Sequence, residues 1–169
     1  MVTELLRRSF PQLLDKHRGE DFKFPPRLLC LDPGETTGWA LYEHGKLTSA
    51  GQVATKDSWN IISDLFEEKN PTHVVYENYR VYSHKLDRHA FSEVYTLRLI
   101  GVIEFLCDVV YRIPYDNQMA QQAKGFVTDE KLKHWGYYNM GPKHARDAMR
   151  HGVYYLLFNK ELKSWEGGL

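Results

Sequence analysis

Leu28-Leu29-Cys30-Leu31-Asp32-Pro33-Gly34-Glu35-Thr36-Thr37-Gly38-Trp39-Ala40-Leu41 sets a short apolar run against one carboxylate, a Pro-Gly turn and a second apolar run. The first run reads as a buried strand and the second as the strand that follows the turn. Asp32 then sits where a strand meets a turn. An ionised carboxylate is costly to desolvate, so one delivered by a buried strand needs a metal, a cation or several hydrogen-bond donors to face. Asp before Pro-Gly is also a common turn former, and on this stretch alone both readings stand.

Outward from this stretch, the chain falls into alternating elements. Strands are expected at Pro26 to Asp32, Gly38 to Glu43 and Leu47 to Ala54, the last two joined at His44-Gly45, which makes an antiparallel meander. Residues 57–69 carry Trp59, Ile61, Ile62, Leu65 and Phe66 on one helical face, and Asn70-Pro71 stops that helix. Thr72 to Glu77 reads as a fourth strand. A helix between two strands of one sheet makes a right-handed crossover, so this strand should run parallel to the first. It too ends in a carboxylate, Glu77. Upstream, residues 3–17 place Leu5, Leu6, Phe10, Leu13 and Leu14 at helical spacing with Pro11 interrupting, so one kinked or two short helices should form an extension over 1–26. Its apolar stripe must pack either on the domain or on a partner.

Residues 78–88 form a polar, aromatic and basic loop before a long helix from about His89 to Cys107. Phe91, Val94, Tyr95, Leu99, Val102, Ile103, Phe105 and Leu106 should face the sheet. Leu97 and Ile100 fall between Glu93 and Glu104 on the other side, which points to a second buried surface, most simply a second copy of the chain. A fifth strand is expected at Val109 to Pro114, followed by a short helical stretch to Lys124-Gly125. Lys124, Lys131, Lys133, Lys143, Arg146 and Arg150 then outnumber Asp129, Glu130 and Asp147, as a solvated surface or a phosphate-binding patch. Gly141-Pro142 opens a last helix, within a domain expected over 27–159 and followed by a tail at 160–169.

With 169 residues, 43% of them apolar, the chain suits one domain with a real core. Twenty-two basic and 22 acidic residues balance, so any nucleic-acid surface must be local. Cys30 and Cys107 form no metal-binding spacing and read as reduced core residues. Leu5-Leu6 followed at once by Arg7-Arg8 leaves no apolar region for a signal peptide, and no run is long enough to span a bilayer. The expectation is a cytoplasmic protein with no membrane contact and no small-molecule cofactor.

His144 and Asp147 lie three apart in the last helix and so share a face, beside small Ala145 and Ala148 that would let the helix approach a sheet closely. The chain thus has Asp at the end of the first strand, a meander, a helix, Glu at the end of a parallel strand, a long helix, a strand and a closing His-x-x-Asp helix. This order, with Asp32-Pro-Gly and Thr37-Gly38, Glu77, and His144 with Asp147-Ala148, resembles the RuvC family of Holliday junction resolvases, within the RNase H-like nucleases. The resemblance runs from about Leu28 to Leu157. It implies an α/β fold with a five-stranded mixed sheet in the order 3-2-1-4-5, and Asp32, Glu77, His144 and Asp147 as catalytic metal ligands. It implies two Mg²⁺ ions, with Mn²⁺ able to substitute, hydrolysis to a 5′ phosphate and a 3′ hydroxyl, and a homodimer that cuts two strands of a four-way junction.

The chain departs from the family pattern in two places. The segment up to about Phe24 has no counterpart there. Where members commonly carry a Lys after the fifth strand, this chain reads Gln118-Met-Ala-Gln121-Gln122-Ala-Lys124, so that contact either falls to Lys124 from a shifted position or is absent, with Lys131 as the counterpart of a second family lysine. Tyr79 and Tyr82 are the candidates for a junction wedge, and with Arg80 and Lys85 they complete the expected DNA contacts. The alternative is an RNase H-like nuclease acting on forks, flaps or RNA–DNA hybrids. A sugar-kinase type of phosphate turn also reads Asp-x-Gly with Thr-Thr-Gly, but it needs two such domains, and the chain has no second Asp-x-Gly.

Overall fold

The central strand is β1 (Arg27–Asp32), because Leu28, Leu29, Cys30 and Leu31 are all fully buried and both of its faces therefore need cover. The computed structural model describes residues 8–56, 58–79 and 90–167, and of residues 90–93 the backbone alone. β2 (Thr36–Glu43) and β3 (Lys46–Ala54) complete the antiparallel meander. After α2 (Asn60–Lys69), β4 (His73–Asn78) returns parallel to β1, and β5 (Tyr115–Met119) pairs parallel to β4. The order is β3-β2-β1-β4-β5, the sheet expected from the sequence.

One face of the sheet, with Cys30, Ala40, Tyr42 and Val75, packs on the closing helix α6 (Lys143–Phe158) through Ala145, Ala148, Met149 and Val153. The other, with Leu29, Leu31, Val74 and Tyr76, packs on Ile62 and Phe66 of α2 and on Leu99, Ile100 and Ile103 of the long helix α3 (Ala90–Phe105). The extension joins the first of these cores. α1 (Phe10–Arg18) buries Phe10, Leu13 and Leu14 there. Pro11 does not break this helix: it lies in the first turn, where its missing N–H costs nothing, beside a Ser9–Gln12 capping box. The Arg18 guanidinium donates to the Tyr155, Leu156 and Asn159 carbonyls at 3.2, 2.7 and 2.7 Å, tying α1 to the open C-terminus of α6. Residues 3–7 lie outside the described residues.

Two expectations are corrected. Val109 to Pro114 is not the fifth strand: α3 runs on as a π-helical stretch, Leu106–Tyr111, and stops at Arg112 in the left-handed region. Val109 and Val110 are more than half exposed, so their apolar run marks a helix surface. β5 begins at Tyr115 and its polar residues are each engaged, Asn117 with Asn78, Asp116 with Asn159 and Gln118 with His151. The second correction concerns α3. Ile100 is 7% exposed and belongs to the core, whereas Val94 and Phe105, expected against the sheet, are 52% and 56% exposed. Leu97 is exposed as expected. A helix apolar over most of its circumference leaves its own phase undetermined, and the sheet selects the Leu99–Ile103–Leu106 line.

Two further helices, α4 (Ala120–Phe126) and α5 (Asp129–His134), lie between β5 and α6. Among the described residues, no helix is long and apolar enough to cross a membrane.

Candidate active site

The turn after β1 is pinned from beneath. Thr37 and Thr55 are fully buried with their hydroxyls 2.9 Å apart, and the Thr55 hydroxyl donates to the Gly34 carbonyl. Asp32 is thereby held at the strand's end, opposite Gly38 of β2. Gly38 is required for a second reason: a Cβ there would lie 1.9 Å from the His144 carbonyl oxygen, so only glycine lets the start of α6 lie on the sheet. That approach brings His144 Nδ1 to 3.2 Å from Asp32 Oδ2.

Glu77 comes from the parallel neighbour. Leu31 pairs with Tyr76, so Glu77 emerges one step further along, beside Asp32. Asp147 descends from α6, one turn after His144. Lys124 of α4 reaches between the carboxylates, its Nζ 3.1 Å from Glu77 Oε2 and 3.5 Å from Asp147 Oδ2. Arg150 donates to Asp147 Oδ1 at 2.7 Å and also pairs with Asp129.

The charges are in tension. Burial, helped by Glu77 and Asp147 and opposed by Lys124 and the His144 hydrogen bond, pushes the Asp32 carboxyl up to about 6. Burial would raise Glu77 as well, but the His151 hydrogen bond and the Lys124 ammonium outweigh it and hold that carboxyl below its ordinary value. Burial would lower Lys124, yet Glu77 and Asp147 raise it above the usual lysine value. Three crowded carboxylates with an ammonium among them form a site that demands positive charge.

Oxygen-rich donors with one imidazole suit a hard divalent cation such as Mg²⁺ or Mn²⁺. In the present arrangement no three His, Cys, Asp or Glu side chains among the described residues are gathered closely enough to hold an ion. The Lys124 ammonium is the cation between Glu77 and Asp147 in this arrangement, and three carboxylates with one imidazole are the donor types that a hard divalent cation takes. Alongside lies a groove of about 920 Å³ bordered by Lys124, Lys143, Arg146 and Arg150, with Asp129, Glu130 and Asp147 interspersed.

The other expected contacts are distributed differently. Lys131 is 9% exposed, with its ammonium on the Phe126 carbonyl and 3.7 Å above the Phe126 ring, so it points inward and away from the groove. Tyr79 packs partly against the Leu31–Tyr76 side of the core. Arg80, Tyr82 and Lys85 lie outside the described residues. One functional candidate went unread in the sequence. His151, fully buried one helical turn beyond Asp147, places Nε2 2.9 Å from Glu77 Oε2. The signal was the spacing 144, 147, 151, which continues a single stripe of α6 toward the sheet.

Strand order, parallel β1–β4 pairing and a closing helix over the carboxylate-bearing strand ends define an RNase H-like fold of the RuvC type. The chain is similar in structure to RuvC of Thermus thermophilus in complex with Holliday junction substrate, with a TM-score of 0.57 and 16% identity over 78% of this chain and 92% of that one. Another Thermus thermophilus RuvC structure matches at 0.51 and 17% over 78% and 93%. The yeast mitochondrial Holliday junction resolvase Ydc2 matches at 0.53 and 10% over 92% of each chain. No protein-family model and no curated protein sequence matches the chain.

Proposed function

We propose that the chain is a metal-dependent, structure-selective DNA endonuclease that resolves four-way junctions by paired phosphodiester hydrolysis. The observation that carries this is the meeting of Asp32, Glu77, Asp147 and His144 at one edge of β1 and β4, with more buried negative charge than Lys124 and Arg150 relieve. These four residues would hold Mg²⁺ or Mn²⁺. A pair of such ions, when bound, supplies an activated water and Lewis acidity at the scissile phosphate.

The chain's own groups prepare the rest. Lys124, which touches Glu77 and Asp147 and also borders the groove, would offer its charge to a phosphate there. Lys143 and Arg146 line that groove and would hold the DNA backbone on either side of the break. Arg150 keeps Asp147 turned toward the site. Tyr79, Arg80, Tyr82 and Lys85 follow Glu77 closely enough in the chain to reach a branch point, where aromatic side chains stack on unpaired bases. The exposed row Val94, Leu97 and Phe105, with Gly101 open to solvent between them, supports a homodimer through α3, which gives two sites for two strands. Leu97 belongs to that exposed row, whereas Ile100 is buried in the core.

The test sets the purified protein, with Mg²⁺ or Mn²⁺, against a four-way junction, a fork, an RNA–DNA hybrid and a linear duplex. Cleavage of the junction well above the other three, abolished by chelation, supports the proposal. Preference for the hybrid or fork replaces it with another RNase H-like specificity, and no metal-dependent cleavage of any substrate overturns it.

A further inference from the structure

His151 is buried among apolar neighbours on α6, yet both ring nitrogens are engaged. The partners sit on adjacent strands. Glu77 of β4 and Gln118 of β5 are directly paired in the parallel ladder, and the imidazole comes down across the pair from the helix above. Which nitrogen carries the hydrogen follows from Gln118. With its amide nitrogen toward His151, Gln118 donates to Nδ1 at 3.0 Å and to the His151 carbonyl at 3.2 Å, while its oxygen accepts from the Tyr155 N–H at 3.3 Å. The reverse orientation sets oxygen against carbonyl and N–H against N–H, so the first is assigned. Nδ1 is then an acceptor. The ring's hydrogen must be on Nε2, which donates to Glu77 Oε2 at 2.9 Å.

From this geometry we infer that His151, clamped in its Nε2–H form by Gln118, is a positioning residue that fixes the Glu77 carboxylate for a divalent cation. The inference rests on the metal-site reading of the preceding section. A carboxylate near the end of a strand swings about its side-chain torsions, and Lys124 alone, long and half-exposed, restrains it weakly. A buried ring held from both ends removes that freedom, and Gln118 is in turn fixed by the backbone of α6. Groups of this kind around metal ligands are worth 10–100-fold in metal affinity in general. A histidine serving only to fill the core would not need a donor directed at Glu77.

The experiment is a calorimetric titration of Mn²⁺ into the metal-free 169-residue chain, without DNA, for wild type, Asp32→Asn, His151→Gln, His151→Asn and His151→Leu. In His151→Gln the amide nitrogen reaches the position of Nε2, and Mn²⁺ affinity should stay within about 3-fold of wild type. In His151→Asn the amide ends near Nδ1, short of Glu77, and affinity should fall roughly 10–100-fold, as in His151→Leu. The ¹⁵N resonances of the wild-type ring should report the Nε2–H form in the metal-free protein. If Gln and Asn weaken Mn²⁺ binding equally, or Asn and Leu bind it as wild type does, His151 only fills space and the inference is wrong. Should His151→Leu not fold, the Gln and Asn pair decides alone. Asp32→Asn separates the levels: if it binds Mn²⁺ as tightly as wild type, the metal-site reading has failed, and this inference with it. If it loses Mn²⁺ while His151→Asn keeps it, only the role of His151 has failed.

Discussion

Replacing Asp32 by Asn should make the metal-free protein more stable while removing its activity. The Asp32 carboxyl is raised from 3.8 to about 6, chiefly by burial and then by Glu77, beyond what Lys124 and His144 return. A difference of about 2 units at roughly 1.4 kcal/mol each amounts to about 3 kcal/mol by which the ionised group disfavours folding at neutral pH. The sign follows from proton binding. The folded state holds the proton more tightly, so the stability Asp32 confers is fully present below pH 4 and is lost as pH rises through about 6. Asn is neutral throughout, nearly isosteric, and its carbonyl can still accept from His144.

In chelator at pH 7.5 the variant should therefore exceed wild type by up to about 3 kcal/mol, roughly 6–12 °C in Tm for a chain of this size, and the gap should close as pH falls toward 4. Denaturant and thermal unfolding at a series of pH values measure it. Excess Mn²⁺ should reverse the order, because a ligand that binds only the folded wild type stabilises it by mass action. A variant less stable than wild type in chelator at pH 7.5, or a gap that does not change with pH, would refute the reasoning that the site stores uncompensated negative charge.

Other expectations concern geometry and assembly. Gly38→Ala sets a methyl group against the His144 carbonyl, so α6 must shift; a loss of about 1–3 kcal/mol in stability and at least 10-fold in cleavage rate should follow. Wild-type cleavage by this variant would show that the close approach of α6 is not needed. His144→Asp should retain metal-dependent cleavage, because a carboxylate also serves a hard cation, whereas His144→Ala should not. Equal rates for the two would remove His144 from the ligand set. Leu97→Lys with Phe105→Lys should convert a dimer to a monomer in sedimentation while the protomer still folds cooperatively, since both side chains are exposed on the single chain. Wild-type protein that sediments as a monomer, alone and on DNA, would exclude α3 as the interface.

What could be read ahead of the structure was local. Asp32, Glu77 and the His144–Asp147 pair each lie at a strand end or within one helical turn, where short patterns carry the information. The first four strands followed from the meander and one crossover, and the five-strand order from the family resemblance. The misreadings all depend on contacts between distant elements. β5 is polar because Asp116, Asn117 and Gln118 find partners on α6, the tail beyond it and β4, so its alternation carries no apolar signal. α3 is apolar nearly all round, and only the sheet decides that Ile100 is buried and Phe105 is not. Lys131 counted as surface charge, but its ammonium satisfies the Phe126 carbonyl. His151 acquires a role only through Glu77 and Gln118, which lie 74 and 33 residues away.

The central claim is that these carboxylates and His144 cut DNA with a bound divalent cation. Its most direct measurement is strand mapping of an end-labelled four-way junction after incubation with the protein and Mg²⁺ or Mn²⁺. Paired nicks on opposing strands at symmetric positions near the branch point, each leaving a 5′ phosphate and a 3′ hydroxyl, are predicted for wild type, and an intact but bound junction for Asp32→Asn. Nicks made equally by Asp32→Asn, or none by wild type on a junction it binds, would contradict the account.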